Sequence, residues 1–113
     1  MHEYSIVQAL LDTVAEQTRE RGGVAVHRLR VRIGELSGVE PELLQSAYML
    51  FRENTVCDAA DLDIETVGAC WRCRTCDRDL DRGAVLRCPV CGGPGRLQGG
   101  DEIILDRIEM EVS

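Results

Sequence analysis

Six cysteines stand at positions 57, 70, 73, 76, 88 and 91 of a 113-residue chain. Cys73-Arg-Thr-Cys76 and Cys88-Pro-Val-Cys91 are two CxxC units separated by eleven residues. A CxxC unit folds into a tight knuckle whose two sulfurs take two corners of a tetrahedron, with backbone N–H groups aimed at them. Two knuckles closing on one ion give a tetrathiolate site, with Zn–S distances near 2.3 Å. Pro89 presets the second turn, and Gly92 tolerates positive φ just after the last thiolate. A closed shell of four sulfurs leaves no position for an activated water, so the chemistry expected is structural zinc on Cys73, Cys76, Cys88 and Cys91. A rubredoxin-like iron site shares this ligand set. A thioredoxin-like redox pair is disfavoured, because neither unit lies between a strand and a helix. Cys70-Trp-Arg-Cys73 is also a CxxC, so Cys70 stands as an alternative ligand. Cys57 reads as a small buried residue.

The amino terminus offers a second chemistry. His2 follows Met1 directly, and a large second residue favours retention of the initiator with a free α-amine. That amine, the His2 amide nitrogen and the His2 imidazole can chelate one metal through five- and six-membered rings. Glu3 could complete a plane through its amide or its carboxylate. Planar nitrogen-rich sets suit Ni(II) or Cu(II). His27, in the middle of an extended segment, reads as a structural side chain.

These groups need elements to position them. Residues 5–21 read as an amphipathic helix with Ile6, Val7, Leu10, Leu11 and Val14 on one stripe. Ser5 with Gln8 fits a capping box, and Gly22-Gly23 supply the stop. Residues 24–34 alternate as a strand, with Arg28, Arg30 and Arg32 on its outer face. Val26 and His27 break the parity, so a bulge or a strand edge is expected near there. A second helix is expected over 40–54, with Pro41 in its first turn and Leu43, Leu44, Ala47, Tyr48 and Phe51 inward. Strands are expected at 61–67 and 103–112. Their acidic residues Asp63, Glu65, Glu109 and Glu111 can pair with the arginine row.

From Gly68 to Gly100 the composition shifts to five cysteines, seven glycines and two prolines. Such a stretch cannot offset its chain entropy without a staple. The expected fold is α+β: a small three-stranded sheet with two helices, plus an inserted four-cysteine zinc-ribbon-like module. Residues 1–68 with 101–113 would form one domain and 69–100 the other.

Thirteen arginines against twenty acidic residues give a net charge of −7, which argues against phosphate-backbone binding. Aromatics at 4% leave no stacking platform for single-stranded nucleic acid. No apolar run approaches the roughly 18 residues of a membrane span, and the start lacks the pattern of a signal peptide. A soluble, cytoplasmic chain is expected, where reduced cysteines ligate metal. No glycine-rich phosphate loop or nucleophile–base pair suggests an enzyme.

Met1-His2-Glu3 before a helix, the block Arg32-Ile33-Gly34-Glu35-Leu36-Ser37-Gly38-Val39, the two CxxC units and Gly100-Asp101-Glu102-Ile103 together resemble the HypA/HybF family. Its members are hydrogenase and urease nickel-incorporation metallochaperones. The resemblance spans essentially the whole chain. It implies a nickel site on Met1, His2 and Glu3, and structural Zn(II) on the two CxxC pairs. It implies delivery of Ni(II) to a [NiFe]-hydrogenase large subunit with the GTPase HypB, and urease maturation proteins as further partners in some organisms. The family's usual Gly-Arg-Glu is Gly100-Asp101-Glu102 here, and the position of Cys70 is not usually cysteine. The alternative function is a zinc-ribbon adaptor without transferable metal, for which Trp71 and a +3 charge over residues 71–96 would speak.

Overall fold

The computed structural model describes residues 3–112 and the backbone of His2. Helix α1 runs His2–Glu20 and starts three residues before the expected position. Ser5 therefore lies inside the helix and does not cap it. Two features support the added turn. Glu3 sits in the first turn, where negative charge complements the helix dipole. The Tyr4 ring packs edge-on against Phe51 with centroids 5.2 Å apart. The stripe of Val7, Leu10, Leu11 and Val14 is buried, as the periodicity implied. Gly22, at φ +68, ends the helix, and its N–H donates to the Arg19 carbonyl.

Strand β1, Gly23–Gly34, is the centre of the main sheet. Helix α2, Pro41–Phe51, then crosses to β2, Asp61–Val67, which runs parallel to β1. Helix α2 ends three residues short of the expected position, with the Arg52 N–H closing on the Tyr48 carbonyl. Leu44, Ala47 and Tyr48 are buried, whereas Leu43 and Phe51 stay largely exposed. The core forms where α1 and α2 cover Val26, Leu29, Val31 and Ile33 of β1.

Of the bulge and the strand edge expected near His27, the structure has the bulge. Val26 faces Met110 and Arg28 faces Glu109 on the last strand, Ile103–Val112, leaving His27 unmatched. The extra residue shifts the phase, so Val26 and Leu29 both face the helices despite an odd spacing. On the opposite face Arg28 reaches Asp63 at 2.7 Å, Arg30 reaches Glu65 at 3.9 Å, and Arg32 lies between Glu65 and Asp106. Being exposed and screened by solvent, these pairs add little stability each, but they disfavour slipped registers.

Between β2 and the last strand lies a second sheet that periodicity did not reveal. Its middle strand is β3, Cys70–Cys73, flanked by the short β4, Asp79–Leu80, and by β5, Gly95–Gly99. Both pairings are antiparallel. A single 3-10 turn covers Arg82–Ala84. The last strand of the main sheet is thus β6. The second unit's own core is Cys73, Leu80 and Cys88, with Trp71 and Ala84 against it. Two sheets with separate cores make an elongated molecule of 56 × 29 × 16 Å. Its radius of gyration is 18.1 Å, against about 13 Å for a compact chain of this length. Among the described residues no helix is long and apolar enough to cross a membrane.

Candidate metal centre

The two CxxC units fold into matching knuckles. The Asp77 N–H donates to the Cys73 carbonyl at 3.1 Å, and the Gly92 N–H donates to the Cys88 carbonyl at 2.9 Å. Both residues after the second cysteine take left-handed backbone, Asp77 at φ 58 and Gly92 at φ +77. The glycine does so without steric cost. The aspartate is held there by Arg96 at 3.0 Å and Arg72 at 3.3 Å. A further close approach holds the knuckles together, because a side chain on Gly93 would collide with Thr75.

The sulfurs are surrounded by backbone donors, as the knuckle argument requires. Thr75 and Cys76 N–H groups point at Cys73 Sγ at 3.4 and 3.5 Å. Val90 N–H points at Cys88 Sγ and Gly93 N–H at Cys91 Sγ, each at 3.4 Å. All four Sγ atoms lie within 4.8 Å of one another. Cys73 and Cys91 sulfurs are 3.3 Å apart, and Cys76 and Cys88 sulfurs 3.7 Å. A tetrahedron with metal–sulfur bonds of about 2.3 Å has sulfur–sulfur edges of about 3.8 Å. The cluster therefore fits one tetrahedral thiophilic ion. Cys73 and Cys88 are buried and Cys76 and Cys91 exposed, so an ion there is shielded on one side only.

The same donors tune the thiols. The Cys76 N–H, then the Thr75 N–H, lower the Cys73 thiol to about 6. The Cys91 and Val90 N–H groups likewise favour the Cys88 thiolate. The Gly93 N–H pulls the Cys91 thiol down, but neighbouring Cys73, burial, Cys76 and Cys88 push it up to about 11. Four thiols this close cannot all ionise without a cation, and a divalent ion relieves that repulsion.

Cys70 is exposed and begins β3 opposite Gly99, three residues before the buried Cys73. Among the described residues the metal-competent group comprises the other four cysteines of this unit. Cys57 is fully buried in the main core, where burial pushes its thiol up. His27 is exposed on the bulge, 3.6 Å from Glu111. Of the amino-terminal group, Glu3 is half-buried in the first turn of α1. Met1 and the His2 side chain lie outside the described residues, and with them the expected nickel chelate.

The sequence reading missed the role of Glu35. Its carboxylate accepts the Ala69 N–H at 2.8 Å and pairs with Arg82 of the second unit. The Arg82 guanidinium, then the Ala69 N–H, hold this carboxyl below its ordinary range. In the sequence Glu35 stands out only as part of the block 32–39, and no periodicity ties it to residues 34 and 47 positions away.

Fold and site define a class: a two-helix α+β protein carrying an inserted four-cysteine metal-binding unit. The family model described as hydrogenase/urease nickel incorporation, metallochaperone, hypA matches residues 1–110. A hydrogenase maturation factor HypA from Wolinella succinogenes is 42% identical, with 99% of this chain and 97% of that protein covered. One from Aquifex aeolicus is 37% identical, with 99% of each covered. A solution structure of HypA protein superposes with a TM-score of 0.81 at 31% identity, over 100% of this chain and 98% of that one. The solution structure of the Ni metallochaperone HypA from Helicobacter pylori gives 0.76 at 29%, over 98% of each. The chain belongs to the HypA family of hydrogenase-maturation metallochaperones.

Proposed function

We propose that this chain binds one Ni(II) at its amino terminus and delivers it to the [NiFe]-hydrogenase large subunit, while Zn(II) at Cys73, Cys76, Cys88 and Cys91 shapes the second unit. The observation that carries the reading is the full-length family match, which begins at residue 1 and takes in Met1-His2-Glu3.

The Met1 α-amine, the His2 amide nitrogen and the His2 imidazole are the nickel donors, with Glu3 completing the set. Helix α1 begins at His2. The first N–H groups of a helix have no intrahelical acceptor, so these amide nitrogens carry no competing helical bond. A bare cation is disfavoured at the positive end of a helix. Deprotonated amides offset that cost by neutralising the metal's charge. A chelate at a chain end is open to a receiving protein, whereas a closed thiolate shell is not.

Zinc supplies folding energy in a unit whose own buried core is three side chains. Metal affinity of a small thiolate site, on the order of 10–16 kcal/mol, far exceeds what that core contributes. Residues 1–68 with 101–113 then form the nickel-binding domain and 69–100 the zinc module. The partners are the GTPase HypB and the hydrogenase large subunit, with urease maturation proteins where that enzyme is the client. The chain itself performs no catalysis, and nucleotide hydrolysis in the pathway belongs to a partner. Its six free thiols suit the reducing cytoplasm.

Calorimetric titration of the untagged chain with nickel tests the reading. One equivalent is expected for the parent and none for His2→Ala, with zinc content and fold intact. Equal nickel uptake by the variant would remove the terminal site.

A further inference from the structure

Two short links join the sheets. Gly68-Ala69 lead from β2 to β3, and Gly100-Asp101-Glu102 lead from β5 back to β6. Each link opens on a glycine, so the links alone hold no fixed angle between the units.

Both links are nevertheless gripped by adjacent residues at the end of β1. The Leu36 N–H donates to the Gly100 carbonyl at 2.7 Å, while the Glu35 side chain accepts the Ala69 N–H at 2.8 Å. Glu35 is itself anchored to the main sheet, because its own N–H donates to the Val67 carbonyl at 2.8 Å. The contact at this crossing is backbone on backbone: a Cβ on Gly34 would overlap the Gly100 carbonyl, and a Cβ on Gly100, at φ +97, would overlap Ala69.

The same Glu35 Oε1 also accepts from Arg82, which belongs to the second unit. The Arg82 guanidinium is pre-set for this, since its carbon lies 5.6 Å from the centroid of the Trp71 ring on β3. An isolated exposed ion pair would contribute little. Here one carboxylate oxygen fixes a link and the far unit at once, so its loss frees two constraints together.

We propose that Glu35 is the positioning residue that sets the orientation of the four-cysteine unit on the helix-bearing body, acting through Ala69 and Arg82. Its role is distinct from holding either metal, and it concerns the angle between two units that each keep their own core.

Residual dipolar couplings of backbone amides in the weakly aligned full chain read that angle. In the parent, a single alignment tensor is expected to fit both sheets. Glu35→Ala should require separate tensors for residues 70–99 and for the rest, with the smaller unit's alignment reduced. Zinc content and the amide shifts within each sheet should stay as in the parent. Glu35→Gln keeps an acceptor for the Ala69 N–H but loses the charge facing Arg82, so it should fall between parent and alanine variant. Arg82→Ala should match the glutamine variant. These two milder changes keep the test open if the alanine variant folds poorly. A single common tensor in all three variants would overturn the proposal. So would two tensors in the parent itself.

Discussion

The Tyr48 hydroxyl donates to the Ala60 carbonyl at 2.8 Å and ties the loop after α2 back onto the helix core. Arg52 donates to the same carbonyl at 2.9 Å, so the acceptor is shared. Tyr48→Phe therefore leaves Ala60 with one donor and should cost about 1 kcal/mol. Urea unfolding of the parent and the variant checks this through the midpoint at unchanged slope. Burial, followed by the nearby Cys57, raises the Tyr48 phenol well above its ordinary value of 10.0. A raised acid contributes stability that is present below the unfolded value and is lost as pH rises past it. The parent should lose stability in alkali above pH 10.0, and Tyr48→Phe should show less of that slope.

The main core and the outer ion pairs should respond very differently to truncation. Leu29 is fully buried at the middle of β1. Leu29→Ala should cost about 2–5 kcal/mol by loss of burial and creation of a cavity. Arg30 on the opposite face pairs with Glu65 at 3.9 Å across solvent. Arg30→Ala should cost less than about 1 kcal/mol. Equilibrium denaturation monitored by circular dichroism separates the two.

Removing the thiolate-bound ion should unfold one unit and spare the other. Cys73 and Cys88 supply two of the three buried side chains of the smaller core. Chelation, or Cys73→Ser with Cys88→Ser, should collapse amide shift dispersion over residues 70–99. The signals of Leu29, Ile33 and Leu44 should persist. Loss of dispersion throughout the chain would contradict separate cores.

Metal uptake at the four cysteines should release protons and weaken in acid. Backbone N–H groups hold the Cys73 thiol down to about 6, whereas Cys91 is raised to about 11 and carries its proton at neutral pH. A metal displaces that proton, so affinity should rise with pH across the neutral range. Calorimetry in buffers of different ionisation enthalpy measures the protons released. Proton-neutral binding at neutral pH would contradict the expectation.

The strands at 61–67 and 103–112 are legible because each alternates against a polar outer face, and the structure begins and ends them at those residues. The irregularity at His27 is legible from a single break in parity, which alone does not separate a bulge from a strand edge. The start of α1 is misplaced by local pattern because Ser5 and Gln8 satisfy a capping rule, while the Tyr4–Phe51 contact that extends the helix is tertiary. The second sheet is invisible for a different reason. Its strands are two to five residues long, too short for an alternating pattern to register. The four clustered cysteines are readable from spacing alone. The partner of Glu35 is not, because an ion pair between residues 35 and 82 leaves no trace in local pattern.

Metal content of the untagged chain after equilibration with nickel and zinc tests the separation of the two sites most directly. The account predicts one zinc and one nickel in the parent, one zinc and no nickel in His2→Ala, and nickel without zinc when Cys73, Cys76, Cys88 and Cys91 are all serine. Nickel that survives the histidine change but vanishes with the cysteines would place the cargo in the sulfur cluster and contradict the account.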